Sequence, residues 1–302
     1  MNPEQIRMPK RAALKLCSLA ALLPLLYVTL SFTGRKYTPD SPPSPDTRYT
    51  FKSIAYGPEN RNILDLALPK GRSVKQTPLI LFIHGGAWVA GNKLFFRREM
   101  EMFADSGFAC ACIDYRFVNN QKHVHHKEIT SDVMLALDYI THHAQSWNIS
   151  PDRIGLWGHS AGGHLAMIVA YTMNTDRRIK AVVSWSGPTN FLDALQPTGQ
   201  STGENILQVY TGTPLKTAAD TAVWKSVSPY YMATASAVPT LFVQGMQDNL
   251  VPAPMAVKMK ARLDSLGVDT DMLLMKNAGH VYVGFSLEKA RKAGYAWMKA
   301  KL

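Results

Sequence analysis

The sequence predicts an α/β fold built on a mostly parallel, doubly wound sheet. From residue 79 onward, short uninterrupted apolar runs alternate with amphipathic segments of helical length. Apolar runs of this kind are typical of parallel strands that helices cover on both faces. At 302 residues, with 46% hydrophobic and 18% charged residues, the chain has the composition of a globular protein with an ample core. Catalytic groups in such sheets lie at the carboxyl ends of the strands.

The predicted elements follow one another in regular order. The alternating segment 62–68 indicates an edge strand. Further strands are predicted at 79–84, 108–114, 153–157, 179–185, 239–244 and 270–275. Helices are predicted at 93–106, 128–147, 163–170, 253–266 and 286–301. The segment 188–237 breaks the alternation with prolines and bulky aromatic residues, and we interpret it as a lid or substrate wall. A merely structural excursion would give the same pattern.

The N-terminal part has a different character from the predicted domain. Residues 16–32 are almost wholly apolar and uncharged, and basic residues precede them. The run is long for a signal-peptide core of roughly 7–15 residues and short for a span of about 20. We therefore predict that 1–36 is a signal-anchor or a signal peptide, and favour an anchor because no convincing cleavage site follows. The chain beyond it is then extracytoplasmic, on the periplasmic or secreted side, and tethered to the membrane.

A proline-rich tract at 37–48 comes next, and it predicts an extended linker outside the packed core. The folded domain is expected to cover 49–302. The net charge of +11 is not concentrated in a Lys/Arg-rich block beyond the N-terminal segment, so nucleic acid is not an expected partner. Three cysteines without a C-x-x-C pair indicate neither a disulfide framework nor a metal site.

The candidate nucleophile, Ser160, lies in the pentapeptide Gly158-His159-Ser160-Ala161-Gly162. It stands between a predicted buried strand and a predicted helix, where a G-x-S-x-G sequence is typical of the nucleophile elbow of α/β-hydrolases. Glycines are needed because a side chain at either end of so tight a turn would collide with neighbouring backbone. The turn would hold the Ser160 hydroxyl above the sheet, over the N-terminus of the helix.

A serine nucleophile needs a base and an orienting carboxylate, which in this fold follow it along the chain. Asp248 comes shortly after the predicted strand 239–244, and His280 comes on the loop after the strand 270–275. Asp193 and Asp220 are competitors that follow no convincing core strand.

The other histidines have more ordinary interpretations. His84 and His159 lie inside motifs and are interpreted as structural. A cluster of three, His123, His125 and His126, lacks a carboxylate or cysteine set that would complete a metal site, so we interpret it as a solvated loop.

Oxyanion donors are expected from the backbone after the nucleophile and from the loop after the strand 79–84. The backbone N–H of Ala161 is the first expected donor. The consecutive glycines Gly85 and Gly86 supply the others, because without side chains their N–H groups can approach the substrate oxygen closely. Trp88 and His159 lie next to these groups in the sequence, and we expect them to contact the substrate.

Taken together, these motifs resemble those of the hormone-sensitive-lipase-like esterases of the α/β-hydrolase superfamily. The resemblance is carried by His84-Gly85-Gly86-Ala87-Trp88, Asp114-Tyr115-Arg116, Gly158–His164, Asp248 and Gly279-His280. It looks closest to the small-lid branch of acetyl-xylan and feruloyl-type esterases and kynurenine formamidase-like hydrolases. The likeness implies a triad of Ser160, Asp248 and His280, with Gly85, Gly86 and Ala161 as the oxyanion hole. Ala87 replaces a third glycine that the family often has, which favours the formamidase and small-ester branch.

The sequence therefore predicts a serine carboxylic-ester hydrolase that forms an acyl-enzyme on small or aromatic esters, without a metal or an organic cofactor. Two alternatives remain open. The same triad serves amidases, formamidases and peptidases, and a non-catalytic binding protein can be built on a hydrolase fold. The acyl and alcohol specificity and the oligomeric state stay open as well.

Overall fold

An eight-stranded sheet with the order β1-β2-β4-β3-β5-β6-β7-β8 forms the centre of the structure. The structure is a computed structural model that describes residues 38–193 and 202–302, all within one compact unit. The strands are β1 (Tyr49–Ala55), β2 (Ile63–Leu68), β3 (Leu79–Ile83), β4 (Ala109–Ile113), β5 (Ile154–His159), β6 (Ile179–Trp185), β7 (Thr240–Gly245) and β8 (Thr270–Met275). From β4 through β8 every pair is parallel, and β2 is antiparallel to both of its neighbours.

Helices cover both faces of this sheet. They are α1 (Arg97–Asp105), α2 (His126–Trp147), α3 (Ala161–Thr172), α4 (Thr202–Thr211), α5 (Ala218–Ser226), α6 (Pro229–Met232), α7 (Ala253–Ser265) and α8 (Gly284–Lys301). The core divides by face, because successive strand residues point to opposite sides. Side chains of α2, α3 and α7 join Leu81 and Leu156 on one face, and those of α1 and α8 join Phe82 and Trp157 on the other. The expected doubly wound α/β-hydrolase fold is therefore confirmed.

The second strand differs from its expected place. The segment 62–68 was expected at the edge, but β2 lies inside the sheet because β1 pairs along its outer side. Its polar residue, Asp65, is buried and accepts a hydrogen bond from Ser53 N at 2.8 Å, while Lys93 Nζ lies 3.5 Å away. The alternation that suggests an edge strand arises from a single charged residue, whose partners come from other segments of the chain.

The helix predicted at 93–106 is two elements in the structure. A 3₁₀ turn covers Lys93–Phe96, and α1 follows it directly. Asn92 begins the turn, and its side chain accepts a hydrogen bond from Leu94 N at 3.0 Å. A second 3₁₀ turn lies at Asn120–Lys122.

The proline-rich tract packs on the domain, contrary to the expectation of an extended linker outside the core. Arg72 is 3% exposed, and its guanidinium donates hydrogen bonds to backbone carbonyls. These acceptors are Pro43, Pro45, Thr47, Pro69 and Trp147. Prolines lack an N–H but keep their carbonyls, so a buried guanidinium with five donors can hold such a tract in place.

The predicted lid contains helices α4, α5 and α6. Its large aromatic side chains mostly point inward: Phe191, Tyr210 and Trp224 are fully buried, whereas Tyr231 is exposed. Residues 194–201 of this segment lie outside the described residues, as does the apolar run at 16–32. Within 38–193 and 202–302, no helix is both long and apolar enough to cross a bilayer.

Candidate active site

The turn between β5 and α3 places Ser160 at the carboxyl edge of the sheet. Its backbone has φ 53° and ψ −121°, a conformation that residues with a Cβ rarely adopt. A Cβ at Gly158 would overlap the carbonyl of Gly162, and one at Gly162 would overlap the carbonyl of Ile83. The motif therefore needs glycine at both positions, because neighbouring backbone comes too close to leave room for a side chain. The Ser160 N–H donates a 2.7 Å hydrogen bond to Trp185 O, which fixes the position of the nucleophile's backbone.

Three side chains from separate loops meet at this turn. His280 Nε2 lies 2.8 Å from Ser160 Oγ, and His280 Nδ1 lies 2.8 Å from Asp248 Oδ2. Because the carboxylate can only accept, Nδ1 carries the ring proton and Nε2 is free to accept from the serine hydroxyl. The structure therefore brings together the three residues that the sequence order suggests, in the geometry that proton transfer from Oγ requires.

Asp248 is held ionised by the loop that carries it. Burial by itself would raise its pKa, but the hydrogen bond from His280 and backbone N–H donors outweigh that effect and keep the pKa below its usual range. Leu250 N and Val251 N donate to Oδ1 at 2.9 and 2.8 Å. A carboxylate with several donors favours its charged form.

Gln244 is a further contributor that sequence reasoning missed. It is buried near the end of β7, and its Nε2 donates to Asp248 Oδ2 at 3.0 Å and to Val251 O at 2.9 Å. A polar amide that follows the apolar run Leu241–Val243, four positions before the acid, is the signal that could have identified it.

The backbone N–H groups of the expected oxyanion hole are available. Within the described residues, those of Gly85 and Gly86 donate to no protein acceptor, and Ala161 is the first residue of α3. A Cβ at Gly85 would lie 2.8 Å from His159 Nδ1 and 3.1 Å from Ser160 Cβ. Glycine at this position therefore lets the loop approach the nucleophile.

The loop that carries these donors is strained. We call residues 84–92, between β3 and the first 3₁₀ turn, the oxyanion loop. Gly86 has φ 116°, and the two non-glycine residues that follow, Ala87 and Trp88, have φ 51° and 61°. Left-handed backbone at residues with a Cβ costs about 1–3 kcal/mol each, so surrounding contacts must hold this loop in shape.

Two histidines of the sequence motifs form hydrogen bonds to backbone carbonyls next to the site. His84 Nδ1 donates to Gly85 O at 2.6 Å, and His159 Nε2 donates to the backbone carbonyl of His280 at 2.9 Å. Burial lowers the pKa of each to about 4, so both rings are neutral at pH 7. His84 thus has the structural position expected for it, and His159 fixes the loop that carries His280.

Trp88 is not at the surface of the site. Its side chain is 3% exposed and lies in an aromatic cluster with His164, Phe191 and Tyr210. A buried position of this kind does not favour the direct substrate contact expected from the sequence.

The remaining histidine cluster lies at the start of α2 and just before it. His125 Nδ1 donates to Val209 O at 3.1 Å, which ties it to the lid rather than leaving it in a solvated loop. No group of three or more His, Cys, Asp or Glu side chains is placed to hold a metal ion in the described part of the chain.

A small cavity borders the site on the side of His159. It has a volume of about 130 Å³ and is lined by Phe95, His159, Val281 and Leu287, with Glu99 and Arg291 paired in its wall. The Phe95 ring stacks on His159 with centroids 5.0 Å apart. Pockets for drug-sized ligands occupy about 300–1,000 Å³, so this space suits only a small group.

Solved structures share this fold. A truncated carbohydrate esterase from gut microbiota superposes with a TM-score of 0.71 at 23% identity, over 86% of this chain and 98% of that one.

Curated relatives carry esterase names. Esterase LipC of Mycobacterium tuberculosis is 25% identical over 80% of this chain and 62% of its own length. The probable carboxylic ester hydrolase LipM of the same organism is 31% identical over 67% of this chain and 49% of its own length. The chain thus spans about half to three fifths of these relatives, and a quarter to a third of some others.

A family model covers most of the domain that carries the site. It matches residues 64–263, which include β2 through most of α7, the oxyanion loop, Ser160 and Asp248. The chain belongs to the BD-FAE family.

Proposed function

We propose that this protein is a serine carboxylic-ester hydrolase that works through an acyl-enzyme. The observation that carries the proposal is the continuous relay from Ser160 Oγ through His280 to Asp248, with both links at 2.8 Å. The esterase names of the relatives support the same class of reaction.

The geometry accounts for each step of that reaction. Ser160 Oγ attacks the ester carbonyl while His280 Nε2 takes its proton, and Asp248 stabilises the imidazolium. The N–H groups of Gly85, Gly86 and Ala161 bind the oxyanion. His280 then gives the proton to the leaving alcohol oxygen as the C–O bond breaks.

In deacylation, a water molecule is the nucleophile and Ser160 Oγ is the leaving group. His280 removes a proton from a water molecule, which attacks the acyl carbonyl, and the acid leaves as the proton returns to Ser160. Asp248 remains ionised throughout, in keeping with its lowered pKa.

The substrate we propose is a small or aromatic ester. The 130 Å³ cavity beside His159 offers a mostly apolar space for one short acyl chain or one ring. His159, the residue before the nucleophile, lines this cavity together with Phe95, which supports a substrate contact for His159.

We also propose a location for the domain. The apolar, uncharged run at 16–32 with basic residues before it supports a signal-anchor that tethers the chain to the membrane, with the domain on the extracytoplasmic side. Fractionation with an alkaline carbonate wash would keep an anchored protein in the membrane pellet, whereas release into the supernatant would contradict this proposal.

The experiment for the activity is hydrolysis of p-nitrophenyl acetate by the protein and its Ser160→Ala and Asp248→Asn variants. Loss of the nucleophile costs about 10⁶ in kcat, and loss of the carboxylate charge about 10⁴, in comparable enzymes. Retention of more than about 1% of the rate by Ser160→Ala would overturn the assignment, given that expected loss.

A further inference from the structure

We infer that Trp88 and Tyr210 form a clamp through which the lid holds the oxyanion loop in its catalytic shape, so that both are positioning residues. The inference rests on the proposed esterase function and adds residues that touch neither the reacting atoms nor the substrate.

The oxyanion loop does not hold its shape through backbone preference. Ala87 and Trp88 both have left-handed φ angles, and they directly follow the two donors Gly85 and Gly86. L-residues disfavour this region, so the loop would relax if nothing outside it opposed the change. Short turns within the loop, from Val89 N and Ala90 N to Gly86 O, close it, and Val118 N donates to Trp88 O at 2.9 Å from the body of the domain.

The Trp88 side chain joins the loop to the lid. Its ring stacks on Tyr210 with centroids 4.2 Å apart and an interplanar angle of 24°. His164 meets it edge-on at 5.2 Å and Phe191 at 5.7 Å. Trp88 is the second residue after the donor Gly86, so the packing of its ring acts close to the peptide groups that carry the donor N–H bonds.

Tyr210 is itself fixed from the other side. It lies in the last turn of α4, where His125 at the start of α2 donates to Val209 O. Thr211 Oγ1 donates to Leu207 O at 2.8 Å in the same turn. The contact therefore runs from the body of the domain through the lid helix to the oxyanion loop.

The ring of Tyr210, not its hydroxyl, makes the contact. Tyr210 is fully buried, and its hydroxyl has no hydrogen-bond partner within the described residues. Phenylalanine at 210 would keep the stack, and leucine would remove it.

The test measures kcat and KM for p-nitrophenyl acetate in Tyr210→Leu, Tyr210→Phe and Trp88→Leu, with active sites titrated by a fluorophosphonate. Titration removes the effect of any unfolded fraction. Loss of one oxyanion donor costs about 10²–10³ in kcat, so partial misplacement in Tyr210→Leu should cost about 10- to 100-fold with KM within about twofold. Tyr210→Phe should restore kcat to within about twofold of the wild-type value, because it retains the stacked ring.

A matched control is Tyr171→Leu. Tyr171 is also a buried tyrosine, in α3, and its hydroxyl is hydrogen-bonded to Thr240 Oγ1 at 2.7 Å, far along the helix from Ser160. This variant should lose stability without losing kcat. Affinity for an alkyl boronic acid, which forms a tetrahedral adduct on the serine, should fall in Tyr210→Leu and not in Tyr171→Leu.

The double variant Trp88→Leu/Tyr210→Leu distinguishes coupling between the two rings from two independent losses of activity. If the two rings act as one clamp, it should lose no more kcat than the worse single variant. Should Tyr210→Leu fail to fold, Trp88→Leu is expected to lower kcat at unchanged KM on its own. Normal kcat in folded Tyr210→Leu or Trp88→Leu, or additive losses in the double variant, would overturn the inference. A wild-type protein that hydrolyses no ester would instead overturn the proposed function and the inference with it.

Discussion

Gln244 Nε2 lies 3.0 Å from Asp248 Oδ2, the same oxygen that accepts the hydrogen bond from His280. The amide thus holds the carboxylate from the sheet side while the imidazole approaches from the loop side. Both groups favour the ionised form, which the relay needs.

We expect Gln244→Leu to destabilise the fold and weaken the relay. Removing a donor from a buried charged group costs about 1.5–3 kcal/mol, and Val251 O loses its partner as well. Urea unfolding measures the loss. Gln247→Leu, at an exposed position in the following turn, is the matched control and should stay within about 0.5 kcal/mol of the wild-type value. Equal stabilities for the two variants would contradict the role given to Gln244.

A second prediction concerns the proline-rich tract and the arginine that binds it. Arg72→Met should lower the free energy of unfolding by about 3 kcal/mol, because several buried carbonyls lose a charged donor. Limited proteolysis should then cut within 38–48 much faster. Turnover should be unchanged, since Arg72 packs near Trp147 and the amino ends of the strands, away from Ser160.

The control for that experiment is Arg98→Met, an exposed arginine on α1. It should leave both stability and proteolysis unaffected. An uncut tract in Arg72→Met would show that the tract is held by other contacts.

A third prediction follows from three buried neutral histidines. Burial lowers the pKa of His84, His159 and His164 to about 4 in the folded protein, against about 6.5 in an unfolded chain. Between these values the unfolded state binds more protons, so stability falls as the pH drops from about 7 to about 4. Each such histidine contributes up to about 1.4 kcal/mol per pH unit.

His164→Gln isolates one of these contributions. Its amide can replace the donation from His164 Nε2 to Val227 O, now 2.7 Å, without titrating. Urea unfolding at about pH 7, 6 and 5 should give a shallower pH dependence for the variant. The same slope in both proteins would mean that His164 is protonated at mildly acidic pH in the folded state.

The sequence was sufficient for those parts of the fold and site that depend on local pattern. Apolar runs located the parallel strands, and the order Ser160, Asp248, His280 placed three side chains that the structure brings within hydrogen-bond distance. The need for glycine at both ends of the elbow could also be predicted, because a side chain there would overlap neighbouring backbone in any turn this tight.

Features that depend on distant partners could not be predicted in this way. Trp88 is next to the oxyanion donors in sequence, but the lid residue Tyr210 decides that its ring is buried rather than open to substrate. Arg72 gives no local sign that it binds a proline-rich tract. Asp65 made β2 resemble an edge strand because its partners, Ser53 and Lys93, come from other segments.

The most direct measurement of the central claim is mass spectrometry of the protein after reaction with a fluorophosphonate. We predict one adduct per chain, on the peptide that contains Ser160, with no adduct in Ser160→Ala and a much slower reaction in His280→Ala. An adduct on another serine, or ester hydrolysis that continues after Ser160 is fully modified, would contradict the account.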